Sequence, residues 1–169
     1  MKRLIAAILI LTYACTVSAA SVIAGFSHGN PSAKDIALVA INEAQTTLRI
    51  AAYQYTNADI IAAILAAKHR GVDVAVILDH TQENRPEQAQ MVAAHIPCFI
   101  DHKYKIMHHK FLVIDHINFE AGSFNYTLSA DKSNAENALY IRGIQPLADA
   151  YTNEWDRLKS LPTTVPCKG

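Results

Sequence analysis

Cysteine is scarce in this chain of 169 residues, and the three present, Cys15, Cys98 and Cys167, have no CxxC or zinc-ligand spacing. That argues against thiol redox chemistry or a structural zinc as the organising activity. Neither sign of charge is in excess, with 15 Lys and Arg against 15 Asp and Glu, so bulk electrostatics gives no reason to expect nucleic acid or an anionic surface as a partner. Glycine and proline are few, at six each, and there is no low-complexity tract, internal repeat or interdomain linker. Beyond the first 20 residues no apolar run approaches the roughly 20 residues that a membrane span requires, and no stable span is expected.

Residues 1–20 open with Lys2 and Arg3, continue through an apolar stretch from Leu4 to Leu11 and end in small residues. This is the pattern of a secretory signal peptide cleaved after Ala19 or Ala20, and it predicts an exported protein, periplasmic or secreted. Thr12 and Tyr13 fit poorly before a lipid-modified Cys15. Residues 21–169 then form one domain, long enough to enclose a core. Without Lys2 and Arg3 it has 13 basic and 15 acidic residues. Export into an oxidising compartment would allow Cys98 and Cys167 to pair.

The mature chain reads as alternating strands and helices. Strands are predicted at 21–26, 46–53, 72–78, 97–100, 119–121 and 138–141, and the apolar run 111–114 marks another. Ser32 suits the cap of a helix to Ala44, Thr56 or Asn57 the cap of a second ending before Gly71, Pro86 the first turn of a third, and Pro146 the start of a last one. Such alternation predicts an α/β fold, a mixed and mostly parallel sheet with helices on both faces. The segments 127–135 and 161–169 are read as a polar border and a tail.

The stretch HHKFLVIDHINFEAGSFN, from His108 to Asn125, carries the chemistry. A phosphodiester repels nucleophiles, so its catalyst needs a fixed cation and oriented donors where charge develops. Lys110 supplies the cation. His108 titrates near neutrality and can attack phosphorus or move a proton. On an extended strand the two point the same way. Gly122 allows a close backbone approach, and Ser123 and Asn125 offer short donors. His102, Lys103 and Lys105 add positive charge just before the motif, while His109 and His116 read as structural.

His108, Lys110, Asp115, Gly122, Ser123 and Asn125 match the H-x-K-x4-D-x6-G-S-x-N signature, and the chain resembles the phospholipase D superfamily, in particular its exported bacterial endonucleases with one motif per chain. The resemblance spans residues 22–155. It implies a phospholipase D-like fold, a phosphohistidine formed on His108, phosphate contacts from Lys110, Ser123 and Asn125, and an orienting or structural role for Asp115. It also implies a carboxylate after the motif that holds the histidine ring, a position filled by Glu136. No metal or other cofactor is implied.

With a single motif, a two-fold homodimer sharing one active site would bring two His108 side chains together, one as nucleophile and one as acid. The expected function is therefore a metal-independent phosphodiesterase, a sequence-nonspecific endonuclease on DNA or RNA. The alternative is a phospholipase D-type hydrolase of phospholipids, although DHKYKI and TLSADKSN, which flank the site, are mostly polar. A zinc site of His102, His108, His109 and His116, or an inactive binding module on the same fold, are readings from other classes.

Overall fold

The computed structural model describes residues 19–168. The signal-peptide reading, with Lys2, Arg3 and Cys15, lies outside the described residues except for Ala19 and Ala20. No helix among the described residues is long and apolar enough to cross a membrane.

Eight strands and five α-helices follow one another among the described residues: β1 (Ser21–Phe26), α1 (Ala33–Glu43), β2 (Thr47–Ala52), α2 (Ala58–His69), β3 (Asp73–Asp79), α3 (Pro86–Ala93), β4 (Cys98–Asp101), β5 (Lys110–Ile114), β6 (Asn118–Gly122), α4 (Leu128–Lys132), β7 (Asn137–Arg142), α5 (Gln145–Ser160) and β8 (Thr164–Pro166). The caps predicted from sequence are in place. Ser32 and Asp35 form a reciprocal capping box on α1, the Asn57 side chain accepts from the first-turn amides of α2, and Gly71 after α2 takes a left-handed φ of 92°, which glycine adopts without steric cost.

One sheet holds all the strands in the order β1-β7-β6-β5-β2-β3-β4-β8. It is mixed, with helices on both faces, but the expectation that parallel pairing predominates is corrected. Only β2–β3 and β3–β4 are parallel, and the other five pairings are antiparallel. Parallel neighbours need a crossover connection, and α2 and α3 supply one each, whereas β5 runs into β6 through a short turn and returns beside it. The last helix crosses to the other face of the sheet.

Leu48, Ile50, Val74, Val76, Leu112 and Ile114 form one face of the core against Ile36, Ile41, Ile60 and Ile64 of α1 and α2. Ala51, Ala75, Ile77, Phe111 and Val113 form the other, covered by Trp155 and Leu158 of α5. The buried indole N–H donates to the Ile50 carbonyl at 3.0 Å, so the apolar body of Trp155 is buried with its polar atom satisfied. Cys98 and Cys167 are joined by a disulfide, which fastens β8 beside β4. Segments read as a border and a tail thus contain a helix, α4, and a strand, β8.

Candidate active site

His108 and Lys110 stand at the entry of β5, where that strand lies against the end of β2. The register sets Ala52 opposite Lys110, and the Tyr53 amide donates to the His109 carbonyl at 2.8 Å. Tyr53 is thereby placed under both reactive groups. Its ring centroid lies 4.6 Å from that of His108 and 5.3 Å from the Lys110 ammonium. The ammonium also donates to the His108 carbonyl at 2.6 Å. Two motif side chains are therefore held together by an aromatic residue outside the motif.

The surroundings shift the titration of both. Lys110 is only 8% exposed, and burial lowers its pKa to about 8 although the Glu136 carboxylate opposes the shift. Partial burial, the Lys110 charge and His109 lower the pKa of His108, with the buried Asp79 acting in the opposite direction. The net effect favours the neutral imidazole, which is able to attack, while Lys110 remains mostly a cation at neutral pH. A cleft of about 350 Å³ opens beside them, lined by His108, Lys110, Gly122, Asn137, Leu139 and Tyr151 among others.

Gly122 is required by proximity. A Cβ there would lie 2.2 Å from the Asn137 carbonyl oxygen, so only glycine lets β6 and β7 meet at the cleft wall. The next residue, Ser123, donates its hydroxyl to Glu136 at 2.6 Å and accepts from the Asn137 amide at 3.1 Å. Glu136 also accepts from the Asn134 side chain at 2.9 Å. The carboxylate of Glu136, expected to hold the His108 ring, is here bonded to Ser123 and Asn134, because β7 places it beside the start of the segment after β6. Neither Ser123 nor Asn125 lines the cleft, and the side-chain oxygen of Asn125 is buried without a partner.

Asp115 lies at the other end of β5, away from His108 and Lys110. Its carboxylate accepts from the amides of Gln45, Thr46 and Thr47 and from the Thr46 hydroxyl. Burial alone would raise its pKa, but these donors outweigh it and the net shift is downward. The arrangement ties the turn after β5 to the loop before β2 and does not reach the cleft. The four histidines considered as a zinc set are separated too, since His116 occupies the same distant turn and His102 faces Glu83 at 3.6 Å.

Two site residues went unread in the sequence. Tyr53 has no local signal, since only the pairing of β2 with β5 brings it under His108. Asp79, fully buried, ends an apolar strand, and a carboxylate closing such a run was the available hint.

A histidine and a mostly buried lysine cation share one aromatic floor beside a glycine-tight strand crossing, and together they carry the motif side chains of the phospholipase D signature. The chain belongs to the phospholipase D superfamily: the family described as "Cardiolipin synthase, PLD-like domain" matches residues 38–159. It is 34% identical to the solved structure of a phospholipase D family member, Nuc from Salmonella typhimurium, with a TM-score of 0.82 over 89% of this chain and all of that one. Among curated relatives, it is 35% identical over 117 residues to a phospholipase D of Rickettsia conorii, covering 68% of this chain. It is 32% identical over 123 residues to a mitochondrial cardiolipin hydrolase of Xenopus laevis, covering 72% of this chain. The matched region spans 58% of the length of each of these two relatives.

Proposed function

We propose that the protein is a metal-independent phosphodiester hydrolase that cuts DNA, and RNA of similar accessibility, without sequence preference, through a phosphohistidine on His108. The observation that carries this reading is the placement of His108 and Lys110 together on Tyr53, with surroundings that favour the neutral imidazole of His108 and leave Lys110 mostly a cation at neutral pH. Likeness over the whole length of Nuc supports it, as does the polar character of the segments flanking the site.

The site acts as one half of a two-fold homodimer. A ring nitrogen of one His108 attacks phosphorus, and the bond to the leaving oxygen breaks as the partner's His108, protonated, donates to that oxygen. The now neutral partner histidine takes a proton from water, whose oxygen displaces the first histidine and restores it. Both Lys110 ammonium groups neutralise the phosphoryl oxygens, so the chain's own cations do the electrostatic work; Ser123 could join them as a donor only by releasing Glu136. An apolar face beside the cleft supports the dimer: Val22, Phe26 and Leu139 project from β1 and β7 on the side that α5 leaves open, and are 57%, 60% and 41% exposed. Processing of the leader makes the enzyme an exported one.

Phospholipid hydrolysis is the second reading, favoured by the names of the Rickettsia and Xenopus relatives. The deciding assay is cleavage of plasmid and single-stranded DNA by the purified protein in excess EDTA, beside the His108→Ala variant. Cutting that persists in EDTA and disappears in the variant is expected. Dependence on added metal, or cutting that survives the loss of His108, would overturn the mechanism; no cutting of either DNA, with turnover of phospholipid vesicles instead, would transfer it to lipid.

A further inference from the structure

The loop from β4 to β5 presents an exposed sequence, His102, Lys103, Tyr104, Lys105 and Ile106, before the chain is buried again at Met107. Burial at Met107 has a clear cause, because its amide donates to the buried Asp79 carboxylate at 2.7 Å. The loop is thus anchored one residue before His108, and its exposed residues stand at a fixed place relative to the nucleophile.

Facing Tyr104 is Arg157 of α5, with its guanidinium carbon 5.8 Å from the Tyr104 ring centroid. Arg157 is itself held, donating twice to Glu154 at 2.7 and 2.8 Å, and the same carboxylate lies 3.1 Å from His109 Nε2. Tyr104, Ile106, Met107, Arg157, His108 and His109 line a second cleft of about 350 Å³. His108 and His109 also line the first, so the two clefts meet at the nucleophile.

The chemistry of this second cleft suits one kind of occupant. Tyr104 is 39% exposed, enough to offer a ring face, and it has lysines on both sides in sequence. A strand whose scissile phosphate rests on His108 and Lys110 would carry its neighbouring nucleotide into the second cleft. There an aromatic face takes a base, while Lys103 and Lys105 are available to the backbone. Base stacking on aromatic side chains tolerates any sequence, since every base has a π face. Paired bases in a duplex are stacked on one another and cannot use such a face without unstacking. Because Glu154 neutralises Arg157, the guanidinium contributes a flat rigid support more than net charge.

We propose that Tyr104, supported by Arg157, is a stacking subsite for an unpaired base next to the scissile phosphate, and that it makes single-stranded nucleic acid the preferred substrate. This rests on the nuclease reading above. The test measures steady-state cleavage of a single-stranded oligonucleotide and of an abasic sugar-phosphate strand of equal length, by the wild-type protein, Tyr104→Ala and Tyr104→Phe.

For the wild type, KM on the base-bearing strand should be roughly tenfold below that on the abasic strand. Tyr104→Ala should raise the base-bearing KM by about that factor with little change in kcat, so that the two substrates become alike, and Tyr104→Phe should restore the difference. If the wild type cuts DNA and Tyr104→Ala leaves the base-bearing KM where it was, the subsite is overturned and the nuclease reading stands. If the wild type cuts neither strand, both fall together. If Tyr104→Ala leaves KM unmoved and weakens binding to vesicles containing anionic phospholipid, the loop is a membrane contact and the subsite is likewise overturned.

Discussion

Asp79 Oδ2 accepts the backbone N–H of Met107 at 2.7 Å, so a buried carboxylate at the end of β3 holds the residue that immediately precedes His108. Its other oxygen accepts from the amide and hydroxyl of Thr81. Asp79 therefore positions His108, the proposed nucleophile, through the backbone and also acts on it through space, its negative charge favouring the imidazolium.

Asp79→Asn should keep most of the volume but lose the charge and weaken the grip on Met107. We expect kcat to fall by about 100-fold, the scale on which small misplacements of reacting groups act. The acid limb of the pH profile should move to lower pH, because the remaining influences on His108 all lower its pKa. A profile with an unmoved acid limb would reduce Asp79 to a purely architectural role.

Lys110 should add a further alkaline loss of activity beyond the pH at which the partner's His108 gives up its proton. Its ammonium is required as a cation, and burial lowers its pKa to about 8, so kcat/KM should decline as the pH passes that value. Lys110→Arg keeps a cation at all working pH. That variant should be slower, since a guanidinium does not reproduce a compact ammonium, and its profile should lack this further loss near pH 8. A further loss still present in the variant would assign it to another group.

Glu120 should make stability depend on pH. It is buried on β6 between Leu112 and Tyr140, with the Tyr126 hydroxyl donating to it at 2.7 Å. Burial raises its pKa to about 8, against the opposing hydrogen bond. The folded protein therefore binds a proton that the unfolded chain has released between the ordinary glutamate range and pH 8. Stability should be fully present below that window and fall as the pH rises through it. Urea denaturation across this range is the measurement. Glu120→Gln, which keeps an acceptor for Tyr126, should flatten the dependence and be more stable than the wild type at pH 9; a parallel decline in both proteins would exclude Glu120 as its source.

Reduction of the Cys98–Cys167 disulfide, or its replacement by serines, should lower stability by about 4 kcal/mol in the chain-entropy treatment of a loop this long. The 69-residue separation is what makes the expected effect large. Chemical denaturation with and without reductant reads it directly, and equal midpoints would show that β8 holds its place without the bond.

Much of this architecture was legible because its signals are local. Ser32, Asn57 and Pro86 mark helix starts by what they do to the nearest amides, and the apolar runs of β2, β3 and β5 mark buried strands. The direction of strand pairing is not local, and the parallel majority inferred from alternation was wrong for that reason. β8 is a three-residue edge strand containing a proline, with no hydrophobic pattern of its own; it is defined by β4 and a disulfide. At the site, His108 and Lys110 were legible as residue types at a fixed spacing. The partner of Glu136 was not, because it depends on where β7 lies against the segment after β6.

The motif aspartate gives the signature two meanings. Asp115 gathers three amides and a hydroxyl from the loop before β2, at the end of β5 remote from the nucleophile. A descendant of this chain that exchanged His108 for an inert residue would still keep Asp115, since its sheet would need the same staple. Partial survival of the signature is then a fossil of the fold, and only His108 together with Lys110 would speak for retained chemistry.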